Sequence, residues 1–144
     1  MKRPQRVLFV CIGNSCRSQM AEAFARAHGR SIIEPASAGV YPASMVAPDT
    51  IRAMAEKGLD LKGQFPKNVS QVDLSKFDLI VDMSGGLMEG APKVQVEIWD
   101  VPDPIVMDYD QHCRVRDRVE LLVKDLIREL DSKRKAARVF GIGF

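Results

Sequence analysis

Residues 7–18 read VLFVCIGNSCRS, and this stretch decides the fold. Its first four residues are apolar and β-prone, which indicates a short strand that is buried on both faces. A turn containing Gly13 follows. Apolar residues then recur at helical spacing from Ser18 to His28, and Gly29 predicts the end of that helix. A buried strand that passes through a short turn into a helix is typical of an α/β protein with a parallel sheet.

The rest of the chain continues this alternation of strands and helices. Further strands are predicted at residues 31–38, 79–83 and 94–99, and further helices at 48–57 and 111–132. We therefore expect a single domain over residues 1–144, an α/β three-layer sandwich with a parallel sheet of about four strands and helices on both faces. Ligands of such sheets bind beyond the carboxyl ends of the strands, so the turn after the first strand is the predicted site.

The composition is that of an ordinary globular chain of 144 residues with a net charge of +2. The sequence has no long basic stripe, so we expect no nucleic-acid partner. The apolar run at residues 7–10 is too short for a secretory signal, and no stretch approaches the roughly 18 apolar residues of a membrane span. We therefore expect a cytoplasmic protein without a membrane partner. Three cysteines, an odd number, fit a reducing compartment. Nothing resembles a cluster of metal ligands, and no cofactor is expected.

The turn after the first strand has the physical properties of an anion site. It lacks the Gly-Lys-Ser/Thr ending and the G-x-G-x-x-G pattern of the commoner phosphate loops. It nevertheless joins a buried strand to a helix N-terminus, where unpaired backbone N–H groups and the helix dipole attract negative charge. Gly13 is expected to adopt backbone conformations that other residues resist, so that successive N–H groups point inward. In that field Cys11 should be a thiolate nucleophile at neutral pH.

Three further side chains fit an oxyanion held in this turn. The planar fork of Arg17 can fold over the turn and hold two oxygens of a tetrahedral oxyanion. Ser18 can donate a hydroxyl hydrogen bond to the thiolate, and the amide of Asn14 can brace the loop. The residues predicted to bind the oxyanion are Ile12, Gly13, Asn14, Ser15, Cys16, Arg17 and Ser18, with Cys11 and Arg17 as catalytic groups.

The octet C-I-G-N-S-C-R-S after V-L-F-V resembles the loop of the low-molecular-weight protein tyrosine phosphatases, and equally that of the arsenate reductases that share their fold. The likeness extends over most of the chain, through Ser37-Ala38-Gly39 and residues 77–80 to Asp103-Pro104. It implies that a second group, a carboxyl, first protonates the leaving oxygen and then activates the water that hydrolyses a phosphocysteine. The family places that carboxyl in an Asp-Pro pair, which here is Asp103. The nearby Asp100 is the competing candidate.

The resemblance leaves more than one function open. The first interpretation is a phosphatase that acts on a phosphorylated protein or a small phosphomonoester through a phosphocysteine on Cys11. The second is an arsenate reductase that uses an external thiol, and the third is a weakly active phosphate- or phosphopeptide-binding module. Thioredoxin-coupled reductases that resemble this chain relay oxidation through two further cysteines after the strand at 79–83, and residues 82–92 contain no cysteine.

The predicted pocket also departs from the phosphatase pattern. The phosphatases usually follow Asp-Pro with aromatic residues that form a wall for the substrate ring, but here Ile105 and Val106 follow. Tyr41 and Tyr109 are the nearest candidates for such a wall. The departure bears on phosphotyrosine specificity rather than on phosphomonoester chemistry.

The remaining cysteines and histidines have simpler predicted roles. The resemblance implies that Cys16 can form a reversible disulfide with the nucleophile, and loop packing is the alternative. Cys113 is expected to be structural, and His28 and His112 are expected to cap helix ends or lie at the surface. The oligomeric state and the role of the apolar tail at residues 140–144 are left open.

Overall fold

The computed structural model describes residues 3–88 and 93–140. In chain order the elements are β1 (Gln5–Cys11), α1 (Arg17–His28), β2 (Ile33–Gly39), α2 (Pro48–Ala55), β3 (Leu79–Asp82), β4 (Gln95–Ile98) and α3 (Tyr109–Phe140). Short 3-10 turns span Val69–Gln71, Leu74–Lys76 and Pro104–Val106. Over the described residues no helix combines the length and the apolar character that crossing a bilayer requires.

The four strands form one parallel sheet in the order β2-β1-β3-β4, which confirms the predicted α/β fold. The chain moves from β1 to β2 on one side and then crosses back to β3 on the other, so the strand order reverses at β1. In open parallel sheets this reversal creates a crevice at the carboxyl ends of the two central strands. Cys11, the last residue of β1, pairs with Gly39 and therefore lies at that crevice.

Both faces of β1 are buried, as its continuous apolar sequence predicts. Val7 and Phe9 belong to the main core, to which all three α-helices contribute. Leu8 and Val10 face the other way, into a smaller core. The sequence predicted helices on both faces, but the described residues that cover this second face lie in 3-10 turns and connecting loops.

The short turns of this second layer have a local cause. Asn68 and Asp73 each accept a hydrogen bond from the backbone two residues later, so each caps a new turn of its own. Such local side-chain bonds compete with helix propagation. Their apolar residues still pack on the sheet, and these are Val69, Val72, Leu74 and Phe77.

Helix α3 is longer than the sequence predicted. It begins at Tyr109 and continues to Phe140, so the basic residues 133–135, which lie beyond the predicted end at residue 132, are part of it. Ion pairs at i,i+4 spacing stabilise this extension, with Lys133 bonding Glu129 and Lys135 bonding Asp131. The end of the apolar tail, residues 141–144, lies outside the described residues.

Gly39 is the point where β2 meets the turn after β1. A Cβ atom at residue 39 would lie 2.7 Å from the carbonyl oxygen of Ile12 and 2.9 Å from the amide nitrogen of Asn14. Both neighbours are backbone atoms, so neither can rotate away. The turn therefore packs against a strand that has no room for a side chain.

We expect Gly39→Ala to lower the free energy of unfolding by about 1–3 kcal/mol, the usual range for overpacking. Urea unfolding followed by circular dichroism measures this change. Gly13→Ala is the matched control, because a Cβ there meets nothing closer than 3.7 Å, and it should unfold within about 1 kcal/mol of the parent. Equal losses in the two variants would contradict the close approach at Gly39.

Candidate active site

The turn between β1 and α1, residues 11–18, is hereafter the anion loop. Cys11 is 2% exposed and Arg17 is 4% exposed. The other buried members are Asn14, Ser15, Cys16 and Ser18, whereas Ile12 and Gly13 are half-buried. All the residues predicted to bind an oxyanion therefore lie in one short loop at the carboxyl edge of the sheet.

The Ser18 hydroxyl links the two ends of the loop. Its Oγ lies 2.9 Å from the sulfur of Cys11 and accepts a hydrogen bond of 2.7 Å from Nδ2 of Asn14. Because the amide N–H supplies one of these bonds, the hydroxyl proton remains to point at the sulfur. A hydrogen bond donated to sulfur favours its negatively charged form. This geometry agrees with the role predicted for Ser18.

Asn14, rather than Gly13, adopts the unusual backbone conformation in the loop. Its φ is 48°, in the left-handed region, whereas Gly13 is not among the positive-φ residues. The prediction that glycine provides this conformation is therefore wrong. Asparagine can take the place of glycine because it tolerates the left-handed region better than most residues do. Its Oδ1 accepts from the amide of Lys67 at 3.0 Å and its carbonyl from Nε2 of Gln19 at 2.9 Å. These bonds hold the loop from behind.

Two hydrogen bonds hold the Arg17 side chain across the crevice. One terminal nitrogen donates to the carbonyl oxygens of Met83 at 2.6 Å and Val101 at 2.8 Å, at the ends of β3 and β4. The buried Nε has no hydrogen-bond partner among the described residues. A buried, charged N–H without a partner is costly, and an oxyanion in the anion loop would satisfy it.

Asp103 reaches the site from the far side of the crevice. Its Oδ2 lies 3.6 Å from a terminal nitrogen of Arg17, and its side chain is 37% exposed. Its Oδ1 accepts from the Ile105 amide at 3.1 Å, so the carboxylate caps the short turn of residues 103–106, hereafter the acid turn. The competing Asp100 is exposed. Its carbonyl oxygen accepts a hydrogen bond from Arg118, and its carboxylate has no hydrogen-bond partner among the described residues.

Cys16 lies at the start of α1 beside the nucleophile. It is 4% exposed. Burial raises the pKa of its thiol to about 11, although the hydroxyls of Thr50 and Ser15, which can donate to a thiolate, act in the opposite direction. Cys16 is therefore a neutral thiol at neutral pH.

The third cysteine belongs to a different environment. Cys113 is half-buried on α3, where its sulfur lies 3.9 Å from Oε2 of Glu56 and 3.6 Å from a guanidinium nitrogen of Arg116. All three cysteines are free thiols.

Neither tyrosine proposed for an aromatic wall has a clear wall position. The Tyr109 ring lies 3.8 Å below the guanidinium carbon of Arg52, and its hydroxyl is buried. Tyr41 is 72% exposed, and its amide donates to the carbonyl of Ile12, which places it at the rim. Beside the acid carboxylate, Ile105 and Val106 are exposed. The rim is therefore mostly aliphatic.

The sequence interpretation missed two polar residues behind the loop. His112, expected at the surface or as a cap, is 2% exposed and its Nε2 lies 2.9 Å from Oγ1 of Thr50, which is fully buried. The position of His112 among the buried apolar residues of α3 was the only indication of this in the sequence. His28 does lie at a helix end, 2.8 Å from Glu120. No group of three or more potential metal ligands occurs in the described part of the chain.

Fold and loop together define a small α/β protein with a cysteine-bearing loop of the anion-binding type at the reversal point of a parallel sheet. The family model for low molecular weight phosphotyrosine protein phosphatase matches residues 6–136, and the chain belongs to this family.

Individual relatives carry two kinds of name. A glutaredoxin arsenate reductase from Synechocystis is 34% identical over 130 residues, covering 88% of this chain and 98% of the relative. An arsenate reductase solved in its phosphate-binding state has a TM-score of 0.80 at 32% identity, covering 88% of this chain and 98% of that one. A low molecular weight protein tyrosine phosphatase from T. tengcongensis has a TM-score of 0.80 at 25% identity, covering 88% and 99%.

Two substitutions at residue 14 separate backbone strain from hydrogen bonding. Asn14→Ala and Asn14→Gly both remove the amide, but only glycine adopts the left-handed conformation freely. We expect the alanine variant to have a free energy of unfolding about 1 kcal/mol lower than that of the glycine variant. Both should bind inorganic phosphate more weakly than the parent in titration calorimetry. Equal stabilities would show that the loop relaxes away from the left-handed conformation.

Proposed function

We propose that this protein is an arsenate reductase that uses an external thiol, with Cys11 as nucleophile, Arg17 as oxyanion clamp and Asp103 as general acid. The observation that carries the proposal is the similarity, over nearly the whole chain, to proteins named arsenate reductase. The aliphatic rim supports it as well, because a bare tetrahedral oxyanion needs no aromatic wall. Arsenate is thus the favoured substrate and a phosphomonoester the second candidate.

The first chemical step would transfer arsenate to the nucleophile. The Cys11 thiolate, which accepts the Ser18 hydroxyl proton in a hydrogen bond, attacks arsenic and an S–As bond forms. An As–O bond breaks as Asp103 gives its proton to the departing oxygen, which leaves as water. Backbone N–H groups of the anion loop and Arg17 hold the remaining oxygens. Arsenic is still As(V) after this step.

The electrons come from outside the chain in this proposal. An external thiolate attacks the sulfur of Cys11, an S–S bond forms, and the S–As bond breaks with its electron pair on arsenic, which leaves as arsenite. A second external thiol then reduces the mixed disulfide and regenerates Cys11. Residues 82–92 contain no cysteine, and Cys113 bonds Glu56 and Arg116 instead of any loop residue. A three-cysteine internal relay is therefore not part of the scheme.

The test is arsenite formation by the purified protein, supplied in parallel with glutathione plus glutaredoxin and with a thioredoxin system. We expect thiol-dependent reduction that Cys11→Ser lowers by at least about a thousandfold. Cys113→Ser is the matched control and should retain the parent rate, since Cys113 lies outside the anion loop. Hydrolysis of p-nitrophenyl phosphate without arsenite would instead favour a phosphatase. Tight phosphate binding with neither reaction would favour a binding module.

A phosphatase is the second candidate, and one comparison favours it. The Asp103 carboxylate lies 3.6 Å from Arg17 across the crevice, and the acid role that the reductase scheme gives it would serve an alkoxide leaving group equally well. The same loop would then attack phosphorus, and Asp103 would protonate the alkoxide before activating the hydrolytic water. The T. tengcongensis phosphatase, which covers nearly the whole chain, supports this reading.

Substrates with different leaving groups test this second candidate. We expect Asp103→Asn to slow phenyl phosphate hydrolysis by about a hundredfold but p-nitrophenyl phosphate by less than about tenfold, because the better leaving group needs less protonation. Asp100→Asn, at the exposed competitor, should slow neither reaction. Equal slowing of both substrates by Asp103→Asn would reject Asp103 as the acid.

A further inference from the structure

A chain of hydrogen-bonded side chains lies directly behind the site, and the mechanism above does not use it. Nε2 of His112, in the first turn of α3, lies 2.9 Å from Oγ1 of Thr50 on α2. The carbonyl of Pro104 also hydrogen-bonds the His112 ring, and the Thr50 hydroxyl hydrogen-bonds the sulfur of Cys16. The buried ring therefore connects the acid turn with the anion loop.

These partners determine where each proton lies. A carbonyl oxygen only accepts, so the ring nitrogen facing Pro104 carries a hydrogen, and since Nε2 faces Thr50 this nitrogen is Nδ1. Burial lowers the pKa of His112 from its ordinary value of 6.5, so Nε2 is unprotonated at neutral pH and accepts from Thr50. A hydroxyl has one proton, and Thr50 gives it to Nε2, so the neutral Cys16 thiol is the donor toward Thr50. Only a Cys16 thiolate would draw the Thr50 proton, which is why this contact opposes the rise of the Cys16 pKa.

We propose that His112 is a positioning residue, whose Nδ1–H fixes the Pro104 carbonyl and whose Nε2, through Thr50, holds Cys16 as an oriented thiol. The imidazole bonds both the acid turn and Thr50, which supports the anion loop. It acts through the carboxyl and the thiol, and does not itself touch the substrate.

The acid turn has reason to need this support. The carboxylate of Asp103 is partly exposed, and its own contacts are the Ile105 amide and the more distant Arg17. Its direction is therefore decided by the backbone of the turn. The Pro104 carbonyl also accepts from the Met107 amide at 3.0 Å, which closes the turn, and the bond from His112 attaches the closed turn to α3.

The thiol at residue 16 has a complementary role. A second thiolate beside Cys11 would oppose the first charge and repel an incoming oxyanion. Burial keeps the Cys16 thiol neutral, and donation to Thr50 directs its proton away from Cys11. A single negative sulfur then remains in the anion loop.

The kinetic part of this inference rests on the proposed function, because it needs Asp103 as the acid. The structural part does not, and it is tested first by nitrogen-15 NMR of the imidazole rings at pH 8. The chain has two histidines, so the spectrum of His112→Asn assigns both. We expect the Nδ1–H tautomer at His112, which is the less common one in free histidine. Observation of the Nε2–H tautomer would overturn the network.

The free energy of unfolding, measured with urea at a series of falling pH values, provides a second structural readout. The ring faces Asp49 of α2, Asp103 of the acid turn and Arg116 of α3, and burial outweighs the carboxylates. Because the folded ring resists a proton that the unfolded chain accepts, this contribution to stability is complete above about pH 6.5 and is lost as pH falls toward the folded pKa. The part of the slope of unfolding free energy against pH that His112 contributes should be absent in His112→Asn. A slope unchanged in that variant would contradict the assignment.

Two amide substitutions separate the arms of the network in catalysis. The amide nitrogen of asparagine occupies the place of Nδ1 and donates as it does, whereas the amide oxygen of glutamine takes the place of Nε2 and accepts as it does. We expect His112→Asn to keep kcat for arsenate reduction within about twofold, and His112→Gln to lower it about tenfold or more with KM nearly unchanged. Equal losses would point to packing alone and overturn the positioning role.

Thr50→Val and Thr50→Ser test the second arm. The S–H stretching band of Cys16 in the Raman spectrum, identified by its loss in Cys16→Ser, should move to higher frequency in Thr50→Val and stay in place in Thr50→Ser. An unmoved band in both variants would exclude the Cys16–Thr50 hydrogen bond. If the parent reduces no arsenate, the proposed function fails, whereas the tautomer and the S–H band still decide this inference.

Discussion

The site depends on one residue held in a left-handed backbone conformation. Asn14 turns the chain so that its amide reaches Ser18, which leaves the serine proton for Cys11. The same asparagine is bonded from outside the loop by Lys67 and Gln19, so the strained conformation is supported on both sides. The sulfur proposed as the nucleophile thus relies on a neutral amide that contacts it only through Ser18. The strain is stored where pre-organisation is useful.

The rest of the site is assembled from chain segments that are distant in sequence. The reversal of strand order brings the ends of β1 and β3 together, and Arg17 joins them by donating to Met83 and Val101. The acid turn is fixed by the same guanidinium from one side and by His112 from another. Electrostatic preorganisation of this kind needs no rearrangement when an oxyanion enters. The proposed network behind the loop would therefore position the groups that carry out the chemistry, in addition to its part in the packing.

The local parts of this arrangement could be predicted from sequence, and the long-range parts could not. The strand, the loop, the helix and the candidate roles of Cys11 and Arg17 follow from one continuous stretch, because their contacts are between near neighbours. The burial of His112 depends on how α2, α3 and the acid turn meet, which no single periodicity encodes. The sequence favours glycine for the left-handed conformation because glycine adopts it most freely. The bonds from Lys67 and Gln19 that hold Asn14 in this conformation become visible only in the structure. The two chemistries share one loop, so the motif alone does not separate them. The sequence favours a phosphatase, whereas relatives that match nearly the whole chain favour a reductase.

The uneven cover of the sheet has a consequence for the motions of the molecule. The second face is covered by short turns that each close on their own cap, so they can open separately at low free-energy cost. Residue 67 lies at the start of this layer, and its amide holds Asn14. Brief opening of this second layer would therefore free the anion loop from the Lys67 amide, while the three α-helices on the other face of the sheet stay packed. Heat inactivation would then begin at temperatures where the bulk of the chain is still folded.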